Sequence, residues 1–578
     1  MATIQAKTSR GQKYWYIVES RRVNGKPRPV VLAYLGKANK LLERIQGMDG
    51  QVKLKSYSHG AVAALLNVAA RLEIPSIINK YVKSPRSYMP GKPKRNHLTV
   101  GITLLLGAIG RVCMPTSKRG WWNWAKTTSC EYLLRCALSR IDSQHFWDLM
   151  DALPVEAIPK IEAELLQKVQ TLYPLEHDTL LFDTSNFFTF IATTNRRCTI
   201  AQRGKNKQKR HDLRQVGLAL VVTRKDSIPL FHLSYQGNLH DSKVFHQVIG
   251  KIKKRMLALN FDLEKHTLVF DRGNNSKNNL AVVAELKLHY LGALVPYQHQ
   301  SLLQEAQGHY KAVVVKGEPL DVYRTKKTIW GQPRTVLVFV SDRLKAGQLR
   351  GIYQALAGKE KELRKIQQVL LSPQGATQDR TGLEERIVKL LKGQFLDGLI
   401  QWSLSETADK YIRLDFSIDQ KQLARIEQKL GFRILMTDRD DWDTGRIIET
   451  YYSQAAVEGA FKNIKNPHHL ALKPQFHWTD QKIIVHNFIC VMGYLLSTLL
   501  WKEARRKAGF TGTLDSLLEV LNNIRLATLI EQPKGRGRPK AIYKLEEMSE
   551  EEIALLNALD VAELHKQRPK LKGVGVYN

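Results

Sequence analysis

Two aspartates stand out because their neighbours make a carboxylate costly. Asp183 lies inside the apolar run "LLFDTSNFF", and Asp271 ends a second apolar run, "TLVFDRGNN". Burying a carboxylate among apolar strand residues costs free energy unless a cation or a metal ion pairs with it. Either aspartate alone could equally cap a turn or meet a neighbouring arginine. Two such positions in one sheet favour a metal site.

The third candidate is Glu458, the only acidic residue of the segment "YYSQAAVEGAFKNIKNP" at 451–467. If this segment forms one helix at 100° per residue, four side chains share a narrow stripe beside the apolar face. They are Tyr451, Gln454, Glu458 and Lys465. A simpler interpretation pairs Glu458 with Lys462 at i, i+4 on a solvated face. Pro467 is expected to end the helix.

Taken together, the three carboxylates predict a site for hard cations. Oxygen ligands suit Mg²⁺, and Mn²⁺ could replace it. Two such ions can activate a hydroxyl nucleophile and stabilise the leaving oxygen in an in-line displacement at phosphorus.

The overall charge indicates the partner of such a site. The 578 residues carry a formal net charge of +35 and a pI near 9.8, which favours a polyanion, with nucleic acid first and a membrane surface second. The most apolar run, 483–501, includes His486 and Asn487, so we expect a buried helix and no membrane span. The N-terminus lacks a signal-peptide pattern and the five cysteines show no C-x-x-C spacing, so we expect a reduced, cytoplasmic protein.

Composition changes along the chain divide it into six parts. Residues 1–45 predict a β-rich module with a hairpin around Asn24-Gly25, and 56–175 predict a helical DNA-binding domain. Over 179–300 the order is three strands, helix, strand, helix, strand, as in a ribonuclease H-like sheet. The expected parts are 1–45, 56–175, 176–300 (catalytic core, first part), 301–432 (inserted α+β domain), 433–510 (catalytic core with the Glu458 helix) and 511–578 (tail).

The tail contains a second candidate for DNA binding. Arg536 and Arg538 in "PKGRGRPK" have the pattern of an AT-hook, in which arginines extend along a narrow A·T minor groove. A flexible basic linker is the equally good alternative.

These motifs together resemble the DDE transposases of bacterial insertion sequences. The resemblance is to the insertion sequence 4 superfamily, and most closely to its insertion sequence 1634 type. The superfamily signature Y-(2)-R-(3)-E-(6)-K matches the spacing of the four stripe residues, with Gln454 where the family usually has arginine. "FDTSNFF" and "FDRGNNS" resemble the two aspartate segments, and "GNLHD" resembles the segment between them, with Asp241 a weaker site candidate.

The resemblance implies a fold and an activity. The fold would be α/β, with a ribonuclease H-like, retroviral-integrase-like core, an inserted α+β domain, and N-terminal β-hairpin and helical domains. Asp183, Asp271 and Glu458 would bind two Mg²⁺ ions, which Mn²⁺ could replace. The enzyme would cut the terminal inverted repeats of its element and join the 3′-hydroxyl to target DNA.

The resemblance also implies roles for other residues and for the assembly. Tyr451 and Lys465 would contact the DNA backbone, while Gln454 lacks the cation that grips phosphate there. Trp330 would assist a DNA hairpin step. A homodimer would bring both element ends together at the bacterial nucleoid. A catalytically inactive or domesticated DNA-binding relative and a non-specific ribonuclease H-like nuclease are the alternatives.

Overall fold

The computed structural model describes residues 2–9, 12–23, 26–37, 52–82, 98–175, 178–206, 210–372, 379–393, 395–406, 412–473, 475–531 and 540–571. Helices and strands are mixed along this part of the chain, which confirms the α/β class.

The strands are β1 (Ala2–Ser9), β2 (Gln12–Val23), β3 (Lys26–Lys37), β4 (Val52–Ser58), β5 (Thr179–Thr189), β6 (Arg214–Thr223), β7 (Pro229–Gln236), β8 (Thr267–Phe270), β9 (His289–Leu294), β10 (Lys311–Val315), β11 (Glu318–Ile329), β12 (Gln332–Val340), β13 (Ile400–Glu406), β14 (Ile412–Ile418), β15 (Phe432–Thr437), β16 (Arg525–Glu531) and β17 (Lys540–Leu545).

The α-helices are α1 (Gly60–Arg71), α2 (Ile74–Lys80), α3 (Val100–Cys113), α4 (Trp121–Ala125), α5 (Cys130–Leu134), α6 (Ser143–Asp151), α7 (Ile158–Leu172), α8 (Asp241–Ala258), α9 (Lys277–Glu285), α10 (Gln300–Ala306), α11 (Asp342–Leu370), α12 (Arg380–Leu391), α13 (Gln420–Glu427), α14 (Thr444–Tyr452), α15 (Ala455–Lys465), α16 (Asp480–Ala508), α17 (Leu514–Asn523) and α18 (Glu550–Ala558).

The chain forms two compact units. The first contains Met1–Leu268, Val282–Leu288 and Ser453–Asn578, and the second contains Val269–Ala281 and His289–Tyr452. Two of the four boundaries fall within β8 and α9, and the other two fall before β9 and between α14 and α15.

An antiparallel meander of β5, β6 and β7 lies in the first unit. In β6, every residue after Arg214 is buried, as expected of a strand covered on both faces. Gly237, just after β7, approaches another backbone so closely that a Cβ would lie 1.9 Å from the carbonyl oxygen of Gln215. The three predicted strands over 179–236 are confirmed, together with the helix that follows them.

The long helix α16 forms the centre of the helical part of the same unit, where α1, α3 and α6 pack against it. Its length and composition would allow it to cross a membrane, yet 94% of its most apolar window is buried inside the protein. A core helix passes the same test of length and hydropathy. The predicted burial of this segment is confirmed.

Two small sheets of the first unit differ from the sequence-based expectations. The predicted hairpin is β2 and β3, but β1 adds a third antiparallel strand that had not been predicted. In addition, β4 pairs with β16, and β16 with β17, so the predicted tail contributes two strands to a sheet. Arg536 and Arg538 of the AT-hook-like segment lie outside the described residues.

The second unit has its own antiparallel strands in the order β10-β11-β12-β15-β9. A separate apolar core joins α11, α12 and α13 to the β13–β14 hairpin. Trp330 and Gly331 connect β11 to β12 with positive φ angles of 47° and 84°. The indole of Trp330 therefore lies at a hairpin tip, where the residue is 37% exposed.

A buried ionic cluster holds α7 against β7 and α8. The Glu162 carboxylate accepts a hydrogen bond from the Arg255 guanidinium at 2.8 Å, and its other oxygen contacts the His232 ring. Burial alone would raise the pKa of Glu162, but the neighbouring His232 and Arg255 charges and hydrogen bonds hold the pKa below its usual value. The carboxylate therefore stabilises the fold above about pH 4 and loses this contribution as it becomes protonated in acid.

We predict that Glu162→Gln destabilises the protein by about 3 kcal/mol, because it leaves a buried guanidinium without its counter-charge. Glu164→Gln on the same helix is the matched control. Glu164 forms a solvent-accessible pair with Lys80, so this change should cost less than about 1 kcal/mol. Urea unfolding of both variants checks the difference, and equal costs would contradict a structural role for the buried cluster.

Protonation of buried histidines is expected to weaken the fold in mild acid. Burial and the nearby His565 lower the pKa of His59 to about 4. The unfolded chain takes up this proton near pH 6.5, so stability falls as pH decreases between the two values. By pH 5 this histidine should cost about 2 kcal/mol. His59→Gln should therefore flatten the change in unfolding midpoint between pH 7.5 and 5.0, whereas exposed His468→Gln should not.

Candidate active site

One face of β5 carries the first candidate carboxylate. Asp183, Ser185 and Phe187 alternate along the strand, so their side chains point to the same face. Asp183 is half-buried, and its Oδ1 accepts the Thr184 backbone N–H at 2.7 Å. This face ends in the fully buried ring of Phe187.

Helix α15 packs against β5 and β6 through an apolar face. The buried members of this face are Val457, Ala460, Phe461 and Ile464. At its last residue, Lys465 Nζ donates a hydrogen bond to Ser185 Oγ at 2.5 Å. The same ammonium lies 5.4 Å from the centre of the Phe187 ring. The helix thus brings Lys465 to the strand face that carries Asp183.

Glu458 lies on the same side of α15 as Lys465, about 10 Å away along the helix axis. Its side chain is exposed. Among the described residues, its carboxylate has no hydrogen-bond or ion-pair partner, and the expected surface pair with Lys462 is not formed. An exposed acidic group without a partner, in a strongly basic chain, is free to bind a ligand cation.

The structure corrects the interpretation of 451–465 as one helix. Ser453 and Gln454 form a turn between α14 and α15, so the four stripe residues do not lie on one continuous helix. Gln454 precedes the first turn of α15, is 8% exposed and caps the helix with no side-chain hydrogen bond. Its amide is far less accessible to a ligand than expected for a residue on the predicted stripe. The predicted end of the helix before Pro467 is confirmed.

Tyr451 and Asp271 belong to the second unit. Tyr451 is buried in α14, where the Arg433 guanidinium lies 5.7 Å from the centre of its ring. Asp271 is exposed just after β8, and its Oδ1 accepts the Arg272 backbone N–H at 2.7 Å at the start of a short 3₁₀ turn. The position of Asp271 at a strand end is as predicted.

Asp241, the weaker candidate, is the first residue of α8. Its side chain lies outside those that the structure describes.

Carboxylate oxygens are the donors that Mg²⁺ prefers, so the types of the candidate ligands fit this ion. Within the described residues, no group of three or more His, Cys, Asp or Glu side chains is arranged to hold a metal ion. In both Asp183 and Asp271, Oδ1 accepts the backbone N–H of the following residue. The donor chemistry of the candidate ligands therefore fits Mg²⁺.

Sequence reasoning missed Ser185 as the partner of Lys465. The alternation of strand side chains could have placed Ser185 on the Asp183 face, because the two residues are separated by one position. No sequence signal paired this serine with a lysine 280 residues further along the chain.

Comparison with known proteins assigns part of this chain to a family. Residues 188–474, close to half of the chain, match the family model described as "Transposase DDE domain". Asp271 and Glu458 lie inside the match, and Asp183 precedes it by five residues. A search of curated proteins gave no match.

Among solved structures, the chain is similar to the piggyBac transposase of a synaptic complex with hairpin DNA, determined by cryo-electron microscopy. The sequence identity is 11%, the TM-score is 0.38, and the similarity covers 79% of each chain. A likeness at this TM-score carries no weight for function. The family match, by contrast, shows that this chain carries a transposase DDE domain.

Proposed function

We propose that the protein is a DNA transposase of the insertion sequence 4 superfamily, insertion sequence 1634 type. Its substrates are the terminal inverted repeats of a bacterial insertion sequence and the target DNA. The observation that carries the proposal is the contact of Lys465 with the strand face of Asp183, on a helix that also exposes Glu458. Lys465 and Glu458 lie within the match to the transposase DDE domain, and Asp183 lies just before it.

The ligands proposed for Mg²⁺ are Asp183, Asp271 and Glu458, and Mn²⁺ could replace it. When bound, the ions would lower the pKa of the attacking oxygen and stabilise charge on the leaving oxygen. In the first reaction the oxygen of water attacks phosphorus, and the P–O bond to the 3′-oxygen breaks. In the second, that 3′-hydroxyl attacks a target phosphodiester and displaces the 3′-oxygen of the target strand.

The protein's own cations hold the substrate. Lys465 is exposed and could exchange its hydrogen bond to Ser185 for a backbone phosphate of the DNA. Tyr451 and Gln454 are the further DNA contacts that the signature implies, and both are buried in this structure, so they would serve mainly by holding α14 and α15 in position. The net charge of +35 supplies the long-range attraction for DNA.

The remaining parts of the proposal concern partners and location. A homodimer would hold two element ends at the bacterial nucleoid in the cytoplasm. Arg536 and Arg538 would add minor-groove binding, and Trp330, exposed at its hairpin tip, is available to contact DNA. The inserted domain would correspond to 301–432, of which residues 352–430 form an apolar core of their own.

The buried, uncharged Gln454 gives weight to a second candidate function, a DNA-binding relative that has lost cleavage. Such a protein would bind the repeats and cut no DNA with any divalent ion. A non-specific nuclease would instead cut DNA that lacks the repeats equally well.

We predict that Asp183→Asn and Glu458→Gln each lower cleavage of an inverted-repeat end in Mg²⁺ by at least a factor of about 100, since each removes a charged metal ligand. Both should still bind the end duplex. Glu519→Gln, an exposed helix glutamate of the same unit, should cleave like the parent protein. Cleavage by either site variant at the parental rate would refute the assignment.

A second prediction separates Lys465 from its helix neighbour Lys462. Both are exposed on α15, but Lys465 is the one that contacts β5. Lys465→Ala should weaken binding to the end duplex and lower the slope of log affinity against log salt by about 1, as expected for one lost phosphate contact. Lys462→Ala should leave the slope closer to the parental value. The same slope for both variants would argue against a phosphate contact at Lys465.

A further inference from the structure

Two aromatic rings stack on the surface just beyond the end of β5. Phe190 and Phe476 have ring centres 5.3 Å apart and planes inclined by 26°. They are 51% and 59% exposed, and Trp478, two residues after Phe476, is 69% exposed. We name Phe190, Phe476 and Trp478 the aromatic platform. Large exposed aromatic residues grouped in this way mark a binding surface, because exposing them to water is unfavourable.

Hydrogen bonds hold both segments of the aromatic platform in place. The Phe190 backbone N–H donates to the Gln475 carbonyl oxygen at 3.0 Å, next to a β-bridge between Thr189 and Gln475. The Asn195 side chain donates to the Trp478 carbonyl oxygen at 3.1 Å. The exposed rings are therefore preorganised for binding.

The segment that follows Phe190, as far as Ile200, is also anchored. The Arg214 guanidinium donates to the carbonyl oxygens of Thr193 and Asn195 at 2.7 and 3.0 Å. Asp480 accepts the backbone N–H groups of Thr199 and Ile200 at 2.8 and 2.9 Å. A rigid loop loses little entropy when a ligand binds, which favours a direct recognition role.

The charges around the aromatic platform are basic. Arg196 and Arg197 are exposed in the same loop, and Lys473 Nζ lies 5.3 Å from the centre of the Phe188 ring. The nearby carboxylate of Asp480 is already engaged in the hydrogen bonds that anchor the loop. Aromatic rings beside cations are the combination that binds single-stranded nucleic acid, by stacking on bases and attracting the backbone.

The position along β5 links this surface to the candidate active site. Seven residues separate Asp183 from Phe190, which corresponds to about 23 Å of extended strand.

We propose that the aromatic platform binds unpaired nucleobases of the DNA substrate by stacking, about 23 Å along the strand from Asp183. The proposal rests on the function proposed above and adds a contact to single-stranded DNA. The bases are recognised through their flat faces, so binding is largely independent of sequence. The charged surroundings favour nucleic acid over an apolar protein surface as the occupant.

The test measures the affinity of the full-length protein for two fluorescent probes by anisotropy. One probe is an oligo(dT) strand of about 20 nucleotides, and the other is a mixed-sequence duplex of about 20 base pairs. Phe190→Ala/Phe476→Ala should bind oligo(dT) about 10-fold more weakly, while duplex affinity stays within about twofold. Phe190→Tyr/Phe476→Tyr keeps both rings and should retain binding. Leu172→Ala/Leu257→Ala removes two other exposed apolar side chains of the same unit as a control.

Three results would overturn the proposal. They are unchanged oligo(dT) affinity of the alanine variant, equal losses on both probes, and a loss of the dimer in place of a loss of DNA binding. An unchanged melting temperature shows that the variant is folded, as expected for exposed residues. Oligo(dT) affinity is measured without divalent ions, so a failure of the cleavage assignment is distinguishable from a failure of this one.

Discussion

The packing of α15 against β5 is the contact on which the candidate site depends. The apolar face of this helix fixes the position of its polar side, and Lys465 then reaches Ser185 on the strand face of Asp183. Without this packing, Glu458 would be an ordinary exposed side chain. With it, a carboxylate that has no partner in the described part of the chain, a strand carboxylate and a lysine are held on neighbouring elements of one compact unit.

Charge explains why so few acids are tolerated near such a site. A surface that must attract a polyanion gains from cations and loses from each extra carboxylate. The acids of this unit that are far from solvent are neutralised by partners, as Glu162 is by His232 and Arg255. Glu458 is different because its carboxylate has no such partner in the described part of the chain. The aromatic platform is consistent with this constraint, because aromatic rings can bind DNA bases without adding negative charge that would repel the phosphates.

The local elements could largely be predicted, whereas the long-range pairings could not. Alternating and continuous apolar runs correctly predicted the strands β5, β6 and β7 and the buried helix α16. This works because the burial of a strand or helix determines which of its consecutive residues are apolar. The pairing of β4 with β16 joins segments more than 460 residues apart, and the sequence of neither segment indicates which strand it pairs with. The turn at Ser453 and Gln454 was missed because no glycine or proline marks it. The site carboxylates were identified from their apolar strand neighbours, but the burial of Tyr451 and Gln454 depends on tertiary packing.

Iron-directed cleavage of the protein tests the metal site most directly. Fe²⁺ replaces Mg²⁺ in the complex with an inverted-repeat duplex, and added hydrogen peroxide, with ascorbate to restore Fe²⁺, then gives hydroxyl radicals that cut the nearby backbone. We expect cuts close to Asp183, Asp271 and Glu458, which are lost when excess Mg²⁺ competes. Cuts confined to other segments, in a preparation that still cleaves DNA with Mg²⁺, would contradict it.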